Sequence, residues 1–371
     1  MDTRDINFAS QEDKAKKFQS AAQAEEFVRN IYSHRKQSGE NTEILAATLQ
    51  SNIHTVFNSA HKYIFDLLQN ADDSGAKTVV IDLHQGKRSL LFSHNGNEFL
   101  ERDVTKICEN ARPSGDKVQN KQKTGYKGVG FKANFCISDK ITIISNHVSF
   151  CFDSEWEDFD PSENYPWPII PIWVEKSNVF NQLKMELPLD EVHFFLERIN
   201  EEKVEKELNV VFNSPELLLL LRKIESVSLP HLGITISCEK SGSNDDIILF
   251  KKNEAGEVLF QQVYKMYSFE VYVPSQQHDF LSRLPSSVCP EKLKSAEFVS
   301  IVFVVQFELN QYGISQPVAT VNSRLYSYLP TIVSTELPFS VNGEFLLNQD
   351  RSVLLENEWN DFLIEEIARL Q

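Results

Sequence analysis

The stretch Asp66-Leu67-Leu68-Gln69-Asn70-Ala71-Asp72-Asp73 decides how the rest of the sequence is interpreted. Within residues 60–73, apolar side chains recur at i, i+3, i+4 and i+7, which is the spacing of an amphipathic helix. The opposite face carries Asp66, Asn70 and Asp73, which supply a carboxylate, an amide oxygen of the kind that ligates Mg²⁺, and a second carboxylate. The spacing therefore predicts a helix that presents three oxygen-bearing side chains to one ligand, although a solvated helix face has the same pattern.

Two strands are predicted after this helix, at 78–83 and 89–92, and the second leads into Ser93-His94-Asn95-Gly96. An Asn-Gly pair after an apolar strand most often forms a tight turn. Helix thus gives way to sheet, and the turn places His94, Asn95 and Gly96 at the end of the second strand.

A long polar segment follows at 109–127 and runs into Gly125-Tyr126-Lys127-Gly128-Val129-Gly130-Phe131-Lys132. Glycines at a loop-to-helix junction let the backbone approach phosphates closely, and the helix N-terminus adds positive potential. Lys127 and Lys132 add full charges. A glycine-rich turn without a ligand is the commoner case for this motif alone, so the order of all three motifs carries the prediction of a phosphate site.

The remaining sequence predicts further helices and a second region of sheet. Helical patterns are expected at 10–35, where Ser10 is the candidate N-cap, and at 190–208, 215–224 and 358–370. Residues 233–307 are mainly strand-like. The final helix has no polar tail after it, which fits both a fragment cut from a longer protein and a natural terminus.

Composition limits the classes of function. With 37 Lys and Arg against 53 Asp and Glu, the 371-residue chain carries a formal charge of −16, which argues against a broad grip on nucleic acid. The five scattered cysteines encode neither a disulfide framework nor a zinc site. No apolar run approaches the ~18 residues of a membrane span. We therefore expect a soluble, cytoplasmic protein without membrane contact, in which the local lysine cluster around 117–132 meets a triphosphate.

The order of motifs resembles the ATP-binding module of gyrase, the ninety-kilodalton heat-shock chaperones, histidine kinases and mismatch-repair ATPases, called the GHKL or Bergerat fold. The amino-acid sequence at 66–73 and 125–132 most resembles that of the sacsin-like branch. The segments 329–331, 337–345, 350–351 and 359–360 resemble the transducer segment of sacsin repeats.

The resemblance implies an α+β protein with a Bergerat-fold α/β sandwich followed by a second, α/β transducer-like domain. The expected divisions are an N-terminal helical extension at 1–50, the ATP-binding domain at 51–190 with its lid at 109–124, and the transducer-like domain at 191–371, whose end fits both a natural terminus and a cut from a longer protein.

It also implies ATP and Mg²⁺ as cofactors. Asn70 would hold the metal, and Asp66 would act as the general base. The nucleotide would be bound by Asn70, Asp73, His94, Asn95, Gly96, Gly125, Lys127, Gly128, Val129, Gly130, Phe131 and Lys132.

Three positions depart from the family pattern. Asp66 stands where the family carries Glu and is one methylene shorter, so hydrolysis should be slow. His94 stands where most members carry the Asp that accepts a hydrogen bond from adenine, so adenine preference should be weaker or pH-dependent. Gly343 stands where heat-shock chaperones carry the arginine that senses the γ-phosphate, so Arg351 is the substitute candidate, with Arg324 behind it.

Two functions from different classes remain open from the sequence. The first is a slow ATPase whose lid closure drives conformational switching or dimerisation, with a homodimer or an effector domain as partner, in a chaperone-like or antiviral defence protein. The second is a catalytically weak pseudo-ATPase that acts as a protein-interaction scaffold. A protein kinase is a distant third.

Overall fold

The computed structural model describes residues 16–36, 40–57, 63–84, 86–109, 130–160, 163–240, 246–285, 288–309, 315–320, 323–348 and 353–371. Its α-helices are α1 (Ala21–Arg35), α2 (Glu40–Phe57), α3 (Tyr63–Asp73), α4 (Glu101–Ile107), α5 (Lys176–Leu183), α6 (Glu201–Asn213), α7 (Leu217–Leu220), α8 (Ser275–Arg283), α9 (Glu291–Lys294) and α10 (Glu358–Leu370). Short 3₁₀ helices lie at Gly130–Cys136, Trp167–Ile169 and Pro230–Leu232. Among these helices, none combines the length and the apolar character that crossing a bilayer requires.

The strands pair into one continuous sheet. They are β1 (Thr78–His84), β2 (Ser89–His94), β3 (Lys140–Ser145), β4 (Val148–Asp153), β5 (Ile172–Trp173), β6 (Val192–Glu197), β7 (Ser226–Leu229), β8 (Ile234–Lys240), β9 (Ile247–Asn253), β10 (Val258–Tyr272), β11 (Phe298–Leu309), β12 (Ser315–Val318), β13 (Arg324–Ser327), β14 (Leu329–Ser334) and β15 (Ser340–Asn342).

The order across the sheet is β5-β4-β3-β6-β2-β1-β7-β8-β9-β10-β11-β15-β13-β14, with β12 beside β11. The pairs β1–β7 and β13–β15 are parallel, whereas the pairs flanking them, such as β1–β2 and β7–β8, are antiparallel. The predicted α+β class with a mixed sheet covered by helices is therefore confirmed.

The helix predicted over 190–208 is wrong in its first half. Residues 192–197 form β6, which lies between β2 and β3, and the helix α6 begins only at Glu201. The run Val-His-Phe-Phe-Leu is buried on both faces of the sheet, which suits a central strand better than an amphipathic helix. The expected domain boundary between residues 190 and 191 therefore lies just before β6, which pairs with β2 and β3 of the preceding segment.

The first part of the chain, residues 16–197, and the second part, residues 201–371, share apolar packing. The larger core contains α3 and the strands β1–β4, and it extends to Val304, Tyr326 and Leu329 of the second part. A second core forms around Trp359, Leu363 and Ile367 of α10. A smaller cluster packs α5 against β2, β3 and β6.

The N-terminal helices also pack on this framework. Ala24 and Val28 of α1 and Leu49 of α2 belong to the larger core, so the region expected as an extension contributes to the same packing. The N-cap of α1 is Ser20, whose hydroxyl accepts a hydrogen bond from the Gln23 amide at 3.2 Å. The candidate cap Ser10 lies outside the described residues, and α2 continues across the expected boundary at residue 50.

A buried carboxylate fixes α3 to the chain that enters β7. Asp72 is 5 % exposed, and its carboxylate accepts hydrogen bonds from three consecutive backbone amides, those of Arg222 (3.1 Å), Lys223 (2.7 Å) and Ile224 (3.1 Å). Burying a carboxylate is costly unless hydrogen bonds compensate it, and here three donors do so. Because β7 pairs with β1, this contact sets the position of α3 relative to the sheet.

We expect Asp72→Ala to lower the free energy of unfolding by about 2–4 kcal/mol, because three backbone amides lose their shared acceptor. Urea unfolding followed by circular dichroism measures this loss. Asp72→Asn, which keeps one acceptor oxygen, should lose less, and the exposed Asp279→Ala on α8 should stay within about 0.5 kcal/mol of the wild type. An Asp72→Ala variant as stable as Asp279→Ala would contradict the assignment.

Candidate functional site

The face of α3 that the sequence singles out is partly buried in the structure. Asp66 is 3 % exposed, whereas Asn70 and Asp73 are half-buried, and α3 packs against the 3₁₀ helix at Gly130–Cys136. The helix ends after Asp73 because Gly75 adopts a φ of +84° and the Ala76 amide turns back to the Ala71 carbonyl at 3.0 Å. The helical spacing therefore places one buried carboxyl and two accessible oxygen-bearing side chains along one face, beside the segment that follows the glycine-rich motif.

The turn after β2 is locked by its own residues. The side-chain oxygen of Asn95 accepts hydrogen bonds from the amides of Lys77 (2.8 Å) and Thr78 (2.9 Å), and so holds the turn against the start of β1. A Cβ atom on Gly96 would come within 2.0 Å of the Ser74 hydroxyl oxygen. Both residues are therefore occupied in packing the turn against the end of α3, and Asn95 has no amide oxygen lone pair set aside for a ligand.

His94 is a neutral, buried ring with a defined tautomer. Its Nδ1 accepts a hydrogen bond from the Gly96 amide at 3.1 Å, so the ring proton resides on Nε2. Burial, and to a lesser extent the nearby His193, lower the pKa of His94 to about 4. The pH dependence expected from the sequence is thus moved below about pH 5. The ring also offers a donor at Nε2, where the family Asp would offer an acceptor.

An aromatic cluster connects His94 to the residues after the glycine-rich motif. Phe194 of β6 stacks on His94 with centroids 6.1 Å apart and lies 5.8 Å from Phe131. Phe131 also contacts Phe135 at 5.6 Å. The structure therefore brings His94 and Phe131 together through Phe194, a residue that the sequence analysis missed because its segment was interpreted as helix.

Lys132 does not present its charge to the site. Its ammonium is 3 % exposed and donates to the carbonyls of Ile107 (2.5 Å) and Pro168 (2.6 Å), with the Phe135 and Phe152 rings about it at 5.5 and 5.4 Å. Burial lowers the pKa of Lys132 to about 7 from its ordinary 10.5. These contacts replace the phosphate contact expected from the motif, since carbonyls on two other segments satisfy the ammonium.

The remaining site predictions lie outside the described residues. They are Gly125, Lys127, Gly128, Val129 and Arg351, together with residues 110–124 of the expected lid. For Gly130 only the backbone is described, as the first residue of a 3₁₀ helix. Their roles stay predictions.

The first turn of α3 receives a side chain from a distant helix. Glu207 of α6 reaches the start of α3, where its carboxyl oxygen accepts a hydrogen bond from the Phe65 amide at 3.1 Å. Phe65 directly precedes Asp66. This contact was missed because nothing in the sequence around α3 indicates which later helix packs against it.

The second part of the chain meets α3 at Gln69. This residue, next to Asn70, lines a cavity of about 40 Å³ together with Lys292, Tyr328 and Glu344. The Tyr328 hydroxyl donates to Glu344 at 2.9 Å, and Lys292 pairs with the same carboxylate at 3.4 Å. The Arg222 guanidinium lies 5.1 Å from the centre of the Tyr328 ring. A polar network of the second part thus contacts the helix that carries Asp66 and Asn70.

We expect Gly96→Ala to lower the free energy of unfolding by about 1–3 kcal/mol, because the added methyl group overlaps the Ser74 hydroxyl. In the double variant Ser74→Ala/Gly96→Ala that overlap is absent, so the cost of adding the methyl group should be smaller than in the wild-type background. A double-mutant cycle in urea tests this coupling. Strictly additive losses would contradict the proposed contact.

We expect the stability difference between wild type and Lys132→Met to depend on pH. The pKa of Lys132 is lower in the folded chain, near 7, than in the unfolded chain, so the folded state binds fewer protons between about pH 7 and 10.5. Wild-type stability should therefore rise relative to Lys132→Met across this window, by about 2–3 kcal/mol between pH 7 and 9. Lys206→Met, at an exposed position of α6, should show no such trend; equal trends for both variants would show that Lys132 is solvated.

Comparison with known proteins identifies the part of the chain that holds these residues. Residues 57–186 match the family described as histidine kinase-, DNA gyrase B-, and HSP90-like ATPase. The protein NO VEIN of Arabidopsis thaliana is 22 % identical over 345 residues, which cover 88 % of this chain, and the chain spans only 12 % of that protein's length. A solved N-terminal domain of a DNA repair protein aligns with a TM-score of 0.41 and 10 % identity over 86 % of this chain and 96 % of that one. With α3, the turn after β2 and Phe131 all inside the matched range, residues 57–186 form a domain of the histidine kinase-, DNA gyrase B- and HSP90-like ATPase family, the GHKL family.

Proposed function

We propose that this chain binds ATP with Mg²⁺ and hydrolyses it slowly. Binding and hydrolysis would alter how the first part of the chain is arranged relative to the second part. The observation that carries the proposal is the shared face of Asp66, Asn70 and Asp73 on α3, inside the GHKL domain and beside the 3₁₀ helix at Gly130–Cys136. The partner would be a second copy or an effector protein in the cytoplasm, and the setting would be chaperone-like or antiviral defence.

The donor chemistry on α3 fits a magnesium ion. Oxygen ligands are those that Mg²⁺ prefers, and the ion commonly uses only one or two protein groups together with water and substrate phosphates. Among the described residues no group of three or more His, Cys, Asp or Glu is arranged to hold a metal. Asn70 would therefore be the principal protein ligand, and the bound metal would neutralise charge on the phosphates.

The remaining contacts follow from the family resemblance and the observed geometry. Gly125, Lys127, Gly128, Val129 and Gly130 would hold the phosphates, and Arg351 would approach the γ-phosphate. Lys132 is left out of this set because two carbonyls already bind its ammonium. His94 and Phe131 would border the base, with Nε2 of His94 as a donor.

Asp66 would accept the proton of the attacking water. A positioned general base contributes about 10²–10⁴ in rate, so its reach decides the turnover. Asp66 is shorter than the family Glu and only 3 % exposed. Both features support slow hydrolysis.

Coupling to the second part of the chain is supported by the contacts around Gln69. The network of Lys292, Tyr328 and Glu344 lies against the residue adjacent to Asn70. Asp72 holds α3 to the segment that carries Arg222, whose side chain covers Tyr328. A shift of α3 would therefore displace contacts in the second part.

A scaffold that binds nucleotide without hydrolysing it is the second candidate function. The burial of the short Asp66 side chain favours it, because a buried carboxyl that cannot reach the attacking water gives no turnover.

Isothermal titration with a non-hydrolysable ATP analogue, with and without Mg²⁺, tests nucleotide binding. We expect Mg²⁺-dependent binding by the wild type and at least a tenfold loss for Asn70→Ala, because the metal loses its protein ligand. The control Asn178→Ala, at an exposed position of α5, should bind like the wild type. Equal affinity of wild type and Asn70→Ala would remove the proposed metal site.

Turnover separates the two candidate functions. Asp66→Glu restores the family length, so its kcat should exceed that of the wild type if reach limits hydrolysis. Mg²⁺-dependent binding with no phosphate release by either protein would favour the scaffold.

A further inference from the structure

Glu207 caps α3 from another helix. The Phe65 amide donates a hydrogen bond to Oε1 of its carboxyl group at 3.1 Å, and the amides of Tyr63 and Ile64, in the same first turn of α3, lower the pKa of that group. The first amides of a helix have no partner inside the helix and usually take a side chain from the residue just before it. Here the acceptor comes from α6, 142 residues further along the chain than Phe65.

The other carboxyl oxygen of Glu207 is enclosed. The residue is 8 % exposed, and Oε2 is buried without a hydrogen-bond partner in the described part of the chain. A neutral amide side chain could cap α3 with its carbonyl oxygen at a lower desolvation cost. Unlike an amide, a carboxyl group at this position can carry a titratable proton on its second oxygen, which capping alone does not use.

The surroundings of Glu207 favour this proton. Burial, and to a lesser extent the negative charge of Asp66, raise the pKa of Glu207 to about 8, although the amides of the first turn of α3 act in the opposite direction. Tyr63 of α3 also faces this group, and its own pKa is raised by burial and by the charges of Cys136 and Glu207. Lys203 of α6 acts on Cys136 and is the nearby cation on this side. These surroundings favour the uncharged form of the Glu207 side chain near neutral pH.

We propose that Glu207 is a positioning residue for Asp66: it anchors the first turn of α3 and holds one proton of a carboxyl pair, which leaves Asp66 as the basic member. The inference rests on the proposed hydrolytic function and adds a residue to it. Two carboxyl groups whose charges act on each other are costly to ionise together, and their titration belongs to the pair. The proton on Glu207 spares Asp66 a second negative charge at its side, so loss of that proton should disturb the base and repel the triphosphate.

The pH dependence of turnover tests the proposal. In the wild type we expect kcat to fall at least about threefold between pH 7.5 and 9.5, as Glu207 ionises, with KM changed less than about twofold. Glu207→Gln keeps an oxygen for the α3 amides but cannot titrate, so its kcat should stay level across the same range. The matched control Glu202→Gln, on the exposed side of α6, should keep the wild-type profile. A fall of equal size in Glu207→Gln would overturn the assignment.

Thermal unfolding without nucleotide provides a readout that does not depend on hydrolysis. The folded chain holds the Glu207 proton up to about pH 8, whereas the unfolded chain releases it near the ordinary 4.5. The wild type should therefore lose stability relative to Glu207→Gln as the pH rises from about 4.5 to 8, and the difference in Tm should then level off.

The two measurements test the Glu207 inference and the proposed hydrolysis separately. A Tm difference that does not change with pH would overturn the Glu207 inference whatever the enzyme does. A pH-dependent Tm difference without any turnover would show the protonated Glu207 at α3 while overturning both the proposed hydrolysis and the positioning role in it.

Discussion

The carboxylate of Asp72 accepts three consecutive backbone amides at 222–224, and the position of every functional candidate on α3 depends on this contact. It joins the end of the helix to the chain entering β7, which pairs in parallel with β1. A parallel pair needs a long connection, and this one includes β2–β6 and α6 before the chain returns. The single carboxylate thus holds together segments that are about 150 residues apart in sequence.

Near this contact, several residues that the motifs assign to a ligand instead bind or pack against other parts of the protein. Asn95 is bound by the start of β1, Gly96 is packed against Ser74, and Lys132 is held by the carbonyls of Ile107 and Pro168. Motif residues therefore divide into those that shape the site and those left to face a nucleotide. We propose the second role for Asp66, Asn70 and His94, which lie on α3 and at the end of β2.

Several ionisable side chains around α3 are buried. Glu207, Lys132 and His94 are all removed from water. Burial raises the pKa of Glu207 and lowers the pKa of Lys132 and His94, and each of these shifts favours the neutral form of the side chain. These three side chains consequently add little charge to the interior around α3, the helix that carries Asp66. Such an interior strengthens any electrostatic interaction with a bound metal or phosphate, because the local dielectric is low.

The sequence by itself determined the α+β class, the ATPase family that residues 57–186 match, a helix within 60–73 with its oxygen-bearing face, and strands at 78–83 and 89–92. In the structure the helix spans Tyr63–Asp73 and the strands extend to His84 and His94. These depend on local periodicity and on motif order, which are written in consecutive residues. Only the tertiary structure decided that 192–197 is a central strand, that Lys132 is buried, that Phe194 links His94 to Phe131, and that Glu207 caps α3. Each of these results from contacts between segments far apart in the chain, and burial of a polar group is a property of its neighbours, which the residue type alone does not reveal.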